Sequence, residues 1–145
     1  MATWTSFDLF KKAQLDDLTT AIDWDGADIN VALVTTDCSS VRTTADYFDD
    51  LTEVTPGGEY AQWGINLAAV DVTVASNAAR VVDATTTVTW APDAANPTDA
   101  EYAVLFHKGA SAAASRLAAY LSLGGTTSLV DGLTISTASG IYFSW

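Results

Sequence analysis

The sequence predicts a mainly β fold: an antiparallel β-sandwich or rolled sheet with an N-terminal amphipathic helix and a second short helix. Three observations lead there. Apolar residues follow a helical period before residue 23 and again near 45–54, and alternate elsewhere. Short apolar stretches broken by turn residues fill the chain from residue 70 onward, a pattern of sandwiches and not of alternating βα units. The 145 residues are 49% apolar, enough for one buried core, so 1–145 is expected to be a single domain. Within it, 1–24 are helix and turn and 25–145 are the β-rich body.

The first helix is expected to start at Thr5, because Thr5 and Asp8 have capping-box spacing. Trp4 and Leu9 then fall where a hydrophobic staple places them. Phe7, Phe10, Leu15, Leu18, Ala21 and Ile22 share one broad arc, interrupted by Lys11 and Gln14. Asp23-Trp24-Asp25-Gly26 supplies the stop. Ile29, Val31 and Leu33 then alternate with Asp28, Asn30 and Ala32, a strand. Thr43 and Asp46 repeat the capping spacing before a short helix over 45–54, with Tyr47, Phe48, Leu51 and Val54 on one face. Pro56-Gly57-Gly58 breaks regular structure.

Short strands follow. Val70, Val72 and Val74 alternate, and 80–83 returns after a Ser76-Asn77 turn as a hairpin. Residues 87–90 form a Thr-rich strand ended by Pro92. Tyr102, Val104 and Phe106 share a face, as do Leu117, Ala119, Leu121 and Leu123. Leu133 with Ile135, and Ile141 with Phe143 and Trp145, complete the series. The Ala-rich stretch 109–115 fits a loop or one helical turn.

Charge is lopsided, with 18 acids against 6 bases and a net of −12. Residues 1–59 carry 12 acids and 3 bases, and the rest carry 6 and 3. Such acidity disfavours nucleic acid, whose phosphates need cations, and anionic lipid. The apolar runs are far too short to span a bilayer. The N-terminus has no basic segment leading into an apolar stretch, so no signal peptide is expected.

Catalytic chemistry finds little footing. His107, the only histidine, ends a strand beside Lys108 and reads as a half-exposed strand-end residue. Cys38, the only cysteine, has acidic neighbours that raise its pKa, the opposite of nucleophile activation. Asp16-Asp17, Asp49-Asp50 and Asp99/Glu101 fall on solvated faces or turns, where no carboxyl is kept protonated. Asp23-x-Asp25-Gly26-x-Asp28 fails the EF-hand pattern, because Gly26 is fourth and Val34 stands at the twelfth position. No phosphate-cradling motif is present, and Gly57-Gly58 and Gly124-Gly125 read as turns. Pro97 spoils the sequon at Asn96. No enzyme activity, cofactor, catalytic residue or metal site is therefore expected.

Five tryptophans remain: Trp4, Trp24, Trp63, Trp90 and Trp145. Trp90 and Trp145 continue strand alternation. Trp4, Trp63 and Trp145 are the candidate interface residues, with Trp4 and Trp145 fixed near the chain ends and Trp63 following a Gly-Gly turn.

The order of the pieces carries a resemblance. The strand Asp28-Ile29-Asn30-Val31-Ala32-Leu33-Val34-Thr35 is followed by Tyr47-Phe48-Asp49-Asp50-Leu51 and by Glu53-Val54-Thr55-Pro56-Gly57-Gly58-Glu59-Tyr60. Then come Val88-Thr89-Trp90, Tyr102-Ala103-Val104-Leu105-Phe106-His107-Lys108, Leu117-Ala118-Ala119-Tyr120-Leu121-Ser122-Leu123-Gly124 and Gly140-Ile141-Tyr142-Phe143. Over nearly its whole length the chain resembles a family of small virion structural proteins of tailed bacteriophages, cement-like proteins that decorate capsids. It departs from that pattern in Gly58-Glu59-Tyr60-Ala61-Gln62-Trp63-Gly64, where a Gly-Tyr-x-x-Gly-Gly segment is altered. It departs again where Gly109-Ala110 replaces an acid. The resemblance implies a non-enzymatic capsid decoration or cement protein that stabilises the head. Its partners would be the major capsid protein and copies of itself, a trimer being one geometry, and its place the virion, assembled in the host cytoplasm. The alternative is a tail, neck or fibre component, including a module that binds host-surface glycans.

Overall fold

The computed structural model describes residues 3–8, 28–67, 70–75, 78–83, 87–136 and 141–144. Every strand pairing among them is antiparallel. Among the described residues ten strands form three sheets: β1 (Thr5–Ser6), β2 (Ile29–Val34), β3 (Ile65–Asn66), β4 (Val70–Ala75), β5 (Ala78–Asp83), β6 (Thr87–Trp90), β7 (Ala100–His107), β8 (Arg116–Thr127), β9 (Leu133–Ser136) and β10 (Ile141–Ser144). The largest sheet runs β1-β8-β7-β2-β3, a second runs β10-β5-β4, and β6 pairs with β9.

Strand β2 explains the centre of the fold. Its alternating sequence predicts one wet face, yet all six residues are buried. The β-branched and aliphatic residues of β2 meet β7 in an unbroken register from Ile29↔His107 to Val34↔Tyr102. Both faces of the strand are therefore covered, which its small Ala32 and hydrogen-bonded Asn30 allow. Strand β8 doubles back on β7 through a short 3-10 turn at Ala112–Ala114, the helical-turn option for the Ala-rich stretch. Near its end β8 leaves the ladder: Tyr102 pairs with Ser122, but Ala100 pairs with Thr127. Residues 123–126 bulge outward there, with Gly124 and Gly125 at φ 85° and 126°.

The sheets β2-β7-β8 and β6-β9 contribute to one core. Tyr60 and Trp90 rings lie 5.8 Å apart, and Val88, Trp90 and Ile135 join the buried cluster. Asn96 is buried as a structural clasp. Its amide donates to the carbonyls of Ala91 and Leu129 at 2.9 Å each, and its oxygen accepts the Glu59 N–H at 2.7 Å.

Two sequence expectations change. Thr5 does not cap a helix: Thr5 and Ser6 pair with Tyr120 and Ala119 of β8, and Phe7 donates its N–H to Ala118. An open strand edge offers this segment a ladder and a buried site for Phe7, and that outweighs a local capping pattern. The remainder of the expected helix, 9–22, lies outside the described residues. The second helix, expected over 45–54, is one 3-10 turn at Phe48–Asp50. Asp50, and not Asp46, closes its start by accepting the N–H groups of Asp46 and Tyr47. Beyond it, the chain is drawn straight by bonds to β2, from Val54 N–H to Leu33 and from Thr35 N–H to Thr52.

Candidate interaction surface around Trp63

Trp63 stands at the third position of a turn closed by the Gly64 N–H to the Ala61 carbonyl, 3.0 Å. Its φ is 74°, and it is the one non-glycine residue with positive φ among those described. A turn with positive φ at this position normally holds Gly or Asn. A bulky indole there costs roughly 1–3 kcal/mol of strain and persists only when its surroundings fix it.

The surroundings do fix it. On one side, Glu53 Oε1 accepts the Trp63 N–H at 2.6 Å and the Tyr60 hydroxyl at 2.9 Å. The Tyr60 hydroxyl oxygen in turn accepts the Leu33 N–H of β2 at 2.9 Å. On the other side, buried Asn30 donates to the Trp63 carbonyl at 3.0 Å, and Asn66 donates to Asn30 at 2.9 Å. Gly64 follows, at φ 64° and so close to β2 that a Cβ would overlap the Val31 carbonyl oxygen. The peptide is thus held at its N–H, at its C=O and by the strand beneath.

The indole that this clamp projects is half-buried. It stacks on Phe48 at 5.6 Å and meets Phe106 at 6.2 Å, while Phe48 and Phe106 stack at 4.4 Å. The Lys108 ammonium sits 5.6 Å from the Trp63 ring centre, within cation–π range. Lys108 is exposed and makes no ion pair among the described residues, whereas Arg42 pairs with Asp8 and Arg116 with Asp46.

Burial pushes the Glu53 carboxyl above its ordinary range, and its two hydrogen bonds oppose that rise. Sequence reasoning expected solvated carboxylates and missed this one. The only local signal was an acid lying next to Val54 and two residues after Leu51, both of them buried. Burial also pushes the Tyr60 phenol up. Both bonds to Glu53 go to one oxygen, so this carboxyl positions the main chain.

Trp4 packs half-buried against the core beside β1, at one edge of the five-stranded sheet. Trp63 lies beside β3 at the other edge, four strand spacings away, about 19 Å. The two backbones therefore do not share one patch. Trp145 lies outside the described residues, as do Trp24, Asp16-Asp17, and Asp23, Asp25 and Gly26 of the motif that ends at Asp28. Among the remaining residues weighed for chemistry, His107 is half-buried at the end of β7, and Asp49, Asp50 and Asp99 are exposed. Cys38 is fully buried. Its thiol is pushed up to about 12, chiefly by burial and secondarily by the charge of Asp37.

No family model, curated protein or solved structure matches the chain. Among the described residues no group of three or more His, Cys, Asp or Glu side chains is placed to hold a metal ion. None of their helices is long and apolar enough to cross a membrane.

Proposed function

We propose that the chain is a non-enzymatic structural subunit of a bacteriophage virion, a capsid decoration or cement protein that stabilises the head. The observation that carries this reading is where the resembling segments lie. The stretches beginning at Asp28, Tyr102 and Leu117 are the adjacent strands β2, β7 and β8, and Val88-Thr89-Trp90 falls in β6. The resemblance therefore falls on the framework. Of the two departures from it, 58–64 contains Trp63 and 109–110 directly follows Lys108, where an interface would vary. Further support comes from Glu53, whose carboxyl is spent on holding the main chain. On this reading the sheets close as a sandwich or rolled sheet around the β2-centred core.

A cement protein stabilises a lattice by binding it in preference to free subunits. Rigid aromatic anchors dominate such contacts, while flanking charges set orientation and salt dependence. The test is localisation and loss. Antibody against the chain is applied to fractionated virions, and heads with and without the protein are heated. Labelled heads and earlier DNA release from heads lacking it are the expected results. Equal heat stability would refute the cement role, and label on tails or fibres would transfer the chain to the tail or glycan-binding alternative.

A further inference from the structure

Lys108 has an obvious partner that it does not use. The N–H of Lys108 donates to the Asp28 carbonyl at 2.7 Å, directly after the Ile29↔His107 pair, so Asp28 and Lys108 are cross-strand neighbours. Opposite charges in such positions commonly pair. Both side chains here are exposed and make no ion pair among the described residues, and the ammonium lies over Trp63. The result is a patch with a rigid aromatic centre flanked by one exposed cation and one exposed anion.

We infer that this patch is a self-association surface on which a second copy of the chain docks about a two-fold axis. Lys108 then meets Asp28 of the partner subunit, and the two Trp63 rings cover each other. A two-fold contact needs a surface that is complementary to itself, with both signs present and an apolar middle. Overall charge argues for the same location. A chain of net −12 repels its copies over most of its surface. Arg42 and Arg116 already pair with Asp8 and Asp46, whereas exposed Lys108 makes no ion pair among the described residues and is a cation available at this place to offset that repulsion. The inference holds independently of the virion reading, since it concerns the purified chain alone.

The experiment is sedimentation of the purified full-length chain over a concentration series, with Lys108→Glu, Asp28→Lys and the double exchange. Thermal melts check that each variant folds, as expected for exposed positions. The wild type is expected to form dimers that weaken as salt rises. Each single reversal is expected to weaken dimerisation about tenfold or more, and the double exchange to restore it. Asp28→Lys is the decisive variant. It lowers the net negative charge, so general repulsion alone predicts tighter association, whereas the specific contact predicts weaker. A wild type that stays monomeric, a reversal without effect or a double exchange that fails to rescue would each overturn the inference.

Discussion

Among the described glycines at positive φ, Gly64 and the pair Gly124–Gly125 adopt it for different reasons. The turn at 61–64 lies against β2, where Gly64 has no room for a side chain and Trp63 is clamped at both ends of its peptide unit. The bulge at Gly124–Gly125 faces open space, with nothing near either Cβ position. At the bulge, positive φ serves only the path of the chain out of the ladder. At the turn, it serves contact with the core, and the same contact holds an indole where glycine would be more comfortable. A strained residue is informative when several independent bonds over-determine it, as at Trp63.

The glycines give the sharpest way to break this contrast. Gly64→Ala is expected to cost roughly 4 kcal/mol or to prevent folding, because the strand below is backbone and has nowhere to move. Gly124→Ala is expected to cost only about 1–2 kcal/mol, the penalty of a left-handed conformation in open space. Urea unfolding of both variants measures the difference. Similar losses would mean that close approach at Gly64 is relieved by local shifts.

Removing the clamp is the next largest effect. Glu53→Ala leaves the Trp63 N–H without its acceptor and the Tyr60 hydroxyl with only the 3.4 Å bond to the Leu33 carbonyl, a loss of about 2–3 kcal/mol. Glu53→Gln keeps an oxygen that accepts both bonds, and is expected to cost below about 1 kcal/mol. Denaturant midpoints decide between the two. If the amide is as damaging as alanine, charge and not the accepted bonds holds the turn.

The same carboxyl sets a pH signature. Its folded pKa is raised by burial above the unfolded value of 4.5. Between those values the folded chain binds the proton that the unfolded chain has released. Stability therefore falls as pH rises from about the unfolded value through the folded one, and the penalty persists above. Glu53→Gln is expected to flatten this part of the profile, read as the difference between wild-type and variant melting points. At the other end of the contrast, Thr126→Ala removes a 3.3 Å exposed bond to Glu101 in the bulge. It is expected to change stability by no more than about 0.5 kcal/mol, as exposed positions do.

These differences mark how far the sequence can be read. Strands β2, β6, β7 and β8 were legible because each satisfies a local rule of alternation or turn punctuation. The β4–β5 hairpin was legible too, and its register brings Ala75 opposite Ala78. What was not legible depends on distant residues. Thr5 follows the edge of β8, more than a hundred positions along the chain. The 45–54 segment yields its helix to bonds with β2. Trp63 was visible as an aromatic after a turn, but its clamp joins Asn30, Glu53, Tyr60 and Asn66, which no spacing rule links.

One buried atom turns the fold into its own clock. The Cys38 sulfur has no solvent exposure and is held almost wholly as the thiol, and disulfide reagents attack the thiolate. With no second cysteine in the chain, the colour released by such a reagent comes from this sulfur alone. Its rate therefore counts how often the segment beside β2 swings open, in the native protein and without denaturant.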